Sequence, residues 1–391
     1  MESIYDKKSE LTKKLKDLAP SSSAMIKRTK DGNVIVAHDT WSHYSTMMRV
    51  IKHYEFNWRT VNASNSNIIP GAKMMFSSYP GAIGSIDDFY VLGTEMVATE
   101  TTYGNLNQSL WKHVRDDNGK CVLEIFRSLA ANRLAKNGEE WAKIYVIENS
   151  GTYLNQWLIV DMKQVEGSNM LRVVETLPTL LFGTNSFRKY SESVDATAIL
   201  EQTKYYASYN LPSSPTIQEM GGFKKEEKKH GSIYSYDKCP RRLIYDRDHE
   251  HVTDLKSMYD LMRYNEFNKD PLSKCDCKPE YSGELAIAAR SDLNYLDGEY
   301  PLDSLKFRLH GATDTKIVDI KMVKKMSMIA VNSPTYESLP AFRWSEVPIE
   351  YEKPRMHPDI FKFSPYRFTV GEKMINYVKE FKPLSLIRLY L

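Results

Sequence analysis

Cysteine, charge of one sign and long apolar runs are all scarce in this sequence, and each shortage excludes something. Four cysteines in 391 residues (Cys121, Cys239, Cys275 and Cys277) are too few to staple a disulfide-built scaffold. Only Cys275 and Cys277 are close together, and a bridge across the single residue between them is expected to be strained. The 53 basic and 50 acidic residues leave a net charge of +3, with no basic run of the kind that grips nucleic acid. No stretch reaches the roughly 18 apolar residues that a membrane-crossing helix needs. The first 20 residues lack the apolar core of a signal peptide. No Walker loop, dinucleotide glycine fingerprint or Gly-x-Ser-x-Gly elbow occurs, so no cofactor-binding residues are assigned.

What remains is an ordinary globular composition, 42% apolar and 26% charged, long enough for one large domain or two of usual size. Ile4, Leu11, Leu15 and Leu18 predict one face of a short helix ended by Pro20. The chain either begins here in its mature form or has lost a targeting segment. The run Val34-Ile35-Val36-Ala37 predicts a buried strand, followed by an amphipathic helix with Trp41, Tyr44, Met48 and Ile51 on one stripe. Phe76 to Gly84 predicts a strand edge and a Pro-Gly turn, and Phe89 to Thr102 two strands broken at Gly93. A helix is expected over Val122 to Lys136 with Gly138 as its stop. Strands follow at Trp157 to Met162 and Arg172 to Glu175, a charged loop at Gly221 to Gly231, a helix at Asp254 to Phe267 and a strand at Lys316 to Met322. Strands and helices alternate without the regular beat of a doubly wound sheet, so an α+β or layered sandwich is expected.

Several chemistry-bearing patterns dissolve on inspection. His249-x-His251 with Cys275-x-Cys277 has no usual zinc spacing, and no metal site is assigned. Asp87 and Asp88 would point to opposite faces of an extended stretch, which suits a turn or cap better than a shared substrate. Sequons at Asn62 and Asn107 are short enough to arise by chance. One arrangement stands out: three serines at 21–23, a buried strand, then His38-Asp39-Thr40-Trp41. A small nucleophile at the head of a central strand, with polar groups at the far end of the hairpin, suits a self-processing hydrolase.

From Ser22 to about Phe368 the chain resembles the phospholipase B-like proteins, a lysosomal and secreted family that includes the lamina ancestor group. The matching stretches include SSAMIK, VAHDTWSHYSTMMRVIKHY, ATETTYGN, SGTYLNQWLIVDMK, YYASYNLPS, YSYDKCPR, AIAARSDLN and FRWS. The resemblance implies a four-layer αββα sandwich of the N-terminal nucleophile hydrolase type. It also implies cleavage of an internal peptide bond, after which the new first residue supplies both the nucleophile and, through its α-amino group, the base. An α-amino group with an ordinary pKa of about 7.7–8.0 is partly free base at neutral pH. Ester or amide bonds of a lipid or other acylated small molecule are the implied substrates, and a lysosomal or extracellular setting the implied location.

Carried over residue by residue, the nucleophile falls on Ser22. His38 and Trp41 of the HDTW stretch, with Thr101, would line the pocket. Asn210 of SYNLP would donate to the oxyanion, and Arg241 of CPR would balance the site's charge. Residues 1–21 would then be a leader or propeptide remnant, 22–368 the hydrolase domain and 369–391 a C-terminal extension. Two departures stand against the family pattern. The family nucleophile is cysteine, whose thiol ionises far more readily than a hydroxyl. A serine enzyme, an inactive relative that binds lipid or protein, and an engineered Cys→Ser change all fit Ser22. The family also carries a domain-sized segment before the nucleophile, where this chain has 21 residues.

Overall fold

The computed structural model describes residues 21–60, 67–115, 121–178 and 191–377. The helix expected before Pro20 and the sequon at Asn62 lie outside them. Two antiparallel sheets carry the architecture. The first contains β1 (Ser21–Arg28) and β2 (Val34–His43), joined by a turn at Gly32, whose φ of +84° suits a residue without Cβ. The second runs in simple meander order from β3 (Val50–Glu55) through β4 (Lys73–Ser78), β5 (Phe89–Leu92), β6 (Met96–Thr102), β7 (Asn155–Asp161) and β8 (Leu171–Thr176) to β9 (Ser191–Asp195). The chain then returns to the first sheet with β10 (Tyr205–Ser208), β11 (His310–Ala312), β12 (Thr315–Asp319) and β13 (Ser327–Val331). A separate pair, β14 (Phe342–Arg343) and β15 (Ile360–Phe361), precedes β16 (Tyr366–Thr369) and β17 (Ile375–Asn376). The first sheet has the order β10-β1-β2-β12-β13-β16-β17, with β11 pairing the end of β2.

Strand alternation builds the layers. Along β7, Leu158 and Val160 enter the core shared with Ala24, Met25 and Ile26 of β1, whereas Trp157 and Ile159 face the other way. There they meet α1 (Glu124–Leu134) and α2 (Gly138–Tyr145), where Trp141 lies 5.0 Å from the Trp157 ring. Beyond the first sheet, Ile244 of α4 (Pro240–Asp248) and Met258, Leu261 and Met262 of α5 (Leu255–Met262) close its outer face. Helix, sheet, sheet, helix is the order expected for the αββα sandwich. The sheet continues past residue 368, because β17 pairs with β16.

Four local expectations are corrected. Trp41 belongs to a strand, not a helix: β2 runs on to His43, a single 3-10 turn follows at Tyr44–Thr46, and β3 begins at Val50. Residues 34–42 are all buried, so the apolar period that separates helix from strand is erased. The charged stretch at 221–231 is α3 (Phe223–His230), anchored by buried Phe223 and laced by Lys224–Glu227 and Glu226–His230 contacts at helical spacing. Strand β12 stops at Asp319, whose side chain caps a short helix over Ile320–Lys324. Asp87 and Asp88 are neither turn formers nor caps but buried ion-pair and hydrogen-bond partners. Cys275 and Cys277 are joined in a disulfide, which also removes both from any metal site.

Candidate functional site

The hairpin of β1 and β2 places Ser22 opposite Thr40, between the neighbouring strands β2 and β10. Ser22 is buried, with 2% of its surface exposed. Beyond the end of β10 the chain turns sharply at Asn210, whose φ of +65° is a left-handed conformation that asparagine tolerates better than most residues. That turn aims the Asn210 side chain back at the start of β1. Its Oδ1 accepts from the Ser22 backbone N–H at 3.3 Å and from the Ser21 hydroxyl at 2.6 Å. Its Nδ2 donates to the Thr102 carbonyl at 2.6 Å.

Arg241 approaches from the first turn of α4, which Pro240 opens in the position proline favours. One guanidinium nitrogen donates to the Ser22 carbonyl at 2.6 Å and to the Ser23 hydroxyl at 3.2 Å, and the other to the Tyr209 carbonyl at 2.7 Å. The guanidinium carbon lies 4.2 Å from the centre of the Trp41 ring. Burial pulls the Arg241 pKa down from the ordinary arginine value. Arg241 therefore clamps the backbone on both sides of the site: Ser22 in β1 and Tyr209, the residue before Asn210.

Trp41, Asn210 and Arg241 share the wall of a cavity of about 220 Å³ with Tyr209, Cys239 and Glu284. Glu284 pairs with Arg308 at 3.1 Å, and its pKa stays below the ordinary value: burial opposes ionisation, but Arg308 and His310 outweigh it. Thr101 supports the site from behind. Its Oγ1 accepts from the Asn210 backbone N–H at 3.1 Å. His38 stands further back. It pairs in register with Ala24, its Nε2–H donates to the Glu100 carbonyl at 2.9 Å, and it is absent from the cavity wall. Burial pushes its pKa far below the ordinary histidine value, and Lys316 pushes it the same way, so the ring is neutral.

Of the six residues singled out in the sequence, the fold brings Ser22, Asn210, Arg241 and Trp41 into one cluster and sets Thr101 directly behind it, but Ser22, Thr101 and His38 are all absent from the cavity wall. Sequence reasoning missed Ser23, whose hydroxyl donates to the Ile287 carbonyl at 2.8 Å and receives Arg241. It also missed Lys316, whose ammonium donates at 2.7 Å to the hydroxyl of Thr40, Ser22's strand partner. The SSS run was the one signal for Ser23; nothing local marks Lys316. At Asn107, the side-chain nitrogen that a glycan would occupy donates to the Met220 carbonyl at 2.8 Å.

A family profile described as Phospholipase B matches residues 3–368. The human protein named "Putative phospholipase B-like 2" is 42% identical over 355 residues, which cover 89% of this chain and 58% of the human one. The Dictyostelium discoideum "Phospholipase B-like protein B" is 35% identical over 350 residues, covering 89% and 56%. The chain thus spans a little over half the length of these relatives. A solved structure of a Caenorhabditis elegans N-acylethanolamine-hydrolyzing acid amidase ortholog covers 64% of this chain and 88% of its own, with 10% identity and a TM-score of 0.38, too slight a likeness to carry weight. The match over nearly the whole chain, with Ser22, Trp41, Asn210 and Arg241 gathered at one strand end, establishes that this chain belongs to the phospholipase B family.

Proposed function

We propose that the chain is an acyl hydrolase of the N-terminal nucleophile type, acting on ester or amide bonds of lipid-like molecules after cleavage of its own Ser21–Ser22 bond. The observation that carries this reading is the position of the Ser22 backbone nitrogen, 3.3 Å from Asn210 Oδ1 while Arg241 holds the Ser22 carbonyl. In self-cleavage the Ser22 hydroxyl attacks the Ser21 carbonyl carbon, the Ser21–Ser22 C–N bond breaks, and the acyl group moves to Oγ as an ester. Water then hydrolyses that ester and frees a Ser22 α-amino group. The freed amine inherits the Asn210 Oδ1 contact. One of its N–H bonds points at that oxygen, so its lone pair is free to take the proton from its own hydroxyl.

Catalysis on an acyl substrate follows the same geometry. The Ser22 hydroxyl attacks the substrate carbonyl, the α-amino group takes its proton and returns it to the leaving group, and water completes the cycle. The Asn210 Nδ2 that the resemblance assigns to the oxyanion is bonded to the Thr102 carbonyl in the intact chain. That nitrogen carries a second N–H, and this is the hydrogen that would serve an oxyanion while Oδ1 keeps its contact with residue 22. The cavity of about 220 Å³ is lined by Trp41, Asn210 and Arg241 and not by Ser22, so the reading rests on the contacts at the Ser22 backbone and not on the cavity.

The test is replacement of Ser22 by cysteine, with intact mass and N-terminal sequencing of the product. The Ser22→Cys chain is expected to cleave before residue 22 and to hydrolyse an acyl substrate faster than the serine chain. A Ser22→Cys chain that stays intact and inert, with its fold preserved, overturns the reading. Cleavage that occurs in the cysteine form alone favours the second reading, a serine-bearing member that keeps the pocket for binding.

A further inference from the structure

The Asn210 turn is held by a buried polar chain that crosses from one sheet to the other. The Asn210 N–H donates to the Thr101 hydroxyl, which lies 2.6 Å from the Ser208 hydroxyl. Ser208 donates to Gln156 Oε1, and Gln156 Nε2 donates to the Glu175 carboxylate. The proton inventory fixes the direction. Ser208 has one hydroxyl proton and gives it to Gln156, so Thr101 must be the donor to Ser208. Gln156 in turn must present nitrogen to Glu175, which as a carboxylate only accepts. Glu175 then reaches back to the loop where the chain began. It accepts from the Ser213 hydroxyl and the Ser214 N–H, both at 2.9 Å, and from the Ser213 N–H. Ser208, Gln156 and Glu175 are all at most 2% exposed.

We propose that Gln156 and Glu175 are positioning residues that fix Asn210 against Ser22, a role that rests on reading Ser22 as the nucleophile. The 210–214 loop is pinned at both ends by one network: at Asn210 through Thr101, Ser208 and Gln156, and at Ser213 and Ser214 by Glu175 directly. Neither Gln156 nor Glu175 lines the cavity bounded by Asn210 and Arg241; both act through the loop. A buried chain in which every donor has its acceptor holds one arrangement, since each alternative leaves a buried polar group unmade. Its function is to keep the left-handed Asn210 aimed at the nitrogen of residue 22 before and after that bond is cut.

Hydrogen exchange on the full chain tests the anchoring without relying on activity. Gln156→Leu removes the middle of the network, and none of the hydrogen bonds of Gln156 goes to residues 209–214. Amide exchange in the 209–214 segment is expected to accelerate by about tenfold, the scale of one lost hydrogen bond, while β12 and β13 keep their protection. Glu175→Gln retains the shape but replaces one accepting oxygen with an NH2 group, so it should accelerate exchange directly at Ser213 or Ser214. Unchanged exchange at 209–214 in both variants overturns the proposal. In the Ser22→Cys background, Gln156→Leu should slow self-cleavage by up to about a hundredfold through misplacement, and in the cleaved enzyme lower kcat with KM nearly constant. If Ser22→Cys is inert while the exchange pattern holds, the nucleophile reading falls and the anchoring stands. If Ser22→Cys cleaves and Gln156→Leu cleaves as fast, the positioning role falls and the nucleophile reading survives.

Discussion

Two buried polar regions lie on opposite faces of the β3–β9 sheet, and they solve the same problem in opposite ways. Between the sheets, Glu175 is buried but meets a side-chain amide, a hydroxyl and two backbone N–H groups. On the side of α1 and α2, Asp88, Glu100 and Glu124 are each at most 3% exposed and crowd one another. Asp88 takes the Tyr153 hydroxyl, but it also lies against Glu100 and Glu124, so carboxyls face carboxyls where Glu175 faces donors. Burial, with neighbouring carboxyls adding to it, raises Asp88 to about 7 and Glu124 to about 8, and pushes Glu100 well above the ordinary range. Burial raises Glu175 too, with its donors working against that rise. The difference is the supply of donors, not depth: the first region fixes geometry, and the second stores protons.

The contrast sharpens one residue away from Asp88. Asp87 is as deeply buried but meets Arg49 at 2.9 Å, and Arg49 also reaches Asp314 at 3.3 Å. Arg49→Met should destabilise the fold more than any change in the acidic cluster or at the site, costing about 3–5 kcal/mol, because it strands buried Asp87 and takes one of two cations from Asp314, which keeps Lys316 at 2.8 Å. Denaturant midpoints for Arg49→Met and for the double variant Arg49→Met/Asp87→Asn check this. The double variant should recover part of the loss, and no recovery would mean that Arg49 acts by packing against Tyr79 and not by charge.

Next in size is the pH dependence of the acidic cluster. A carboxyl whose folded pKa is raised keeps a proton that the unfolded chain has released, so the folded form binds more protons between the two values. Stability is therefore fully present below about pH 4, the ordinary carboxyl range, and is lost as pH rises through about 7 to 8. The loss should be on the order of a few kcal/mol, each displaced unit counting for about 1.4 kcal/mol. Thermal unfolding should show a midpoint that falls from pH 5 to pH 8, and Asp88→Asn with Glu124→Gln should flatten that fall. Equal slopes in the two proteins would show that these carboxyls do not set it.

The hydrogen-bonded region predicts an effect on rate instead. Asn210→Ala in the Ser22→Cys background should slow self-cleavage by about a hundredfold or more, comparable to losing an oxyanion donor at about 2.7–4 kcal/mol. Its unfolding midpoint should move far less than that of Arg49→Met. A rate within a few-fold of the parent would detach Asn210 from the chemistry.

How much of this was legible follows from how local each cause is. The strands at Val34–Ala37 and Trp157–Asp161 were readable from their own apolar runs, and the helix over Glu124–Leu134 was found although Gly138, read as its stop, opens the next helix. Trp41 was misread because β2 is paired on both edges and buried on both faces, which leaves no polar side to mark the strand period. Asp87 and Asp88 were misread because their partners, Arg49 and Tyr153, stand 38 and 65 positions away. At the site, Ser22, Trp41, Asn210 and Arg241 came from the resemblance; taken singly, Asn210 is a turn former and Arg241 half of a basic pair. Gln156, Ser208 and Glu175 carried no signal, since their meaning lies in hydrogen bonds that span 52 and 19 positions.

The smallest expected effect lies outside both buried regions, at α3. Its charge run reads as loop if charge is taken to mean solvent, but Lys224 and Glu227 are three positions apart and meet at 3.0 Å. Such a pair stabilises a helix by only about 0.2–0.5 kcal/mol, because water screens both partners and the side chains lose freedom in meeting. Lys224→Ala should therefore leave the unfolding midpoint almost unmoved, and salt should erase the remaining difference. Phe223→Ala, which leaves the charge of the helix unchanged, should cost several times more by removing the ring packed 5.8 Å from Tyr103. If Lys224→Ala proved the costlier of the two, α3 would be held by its charges after all, and exposed ion pairs would rival the buried polar network in strength.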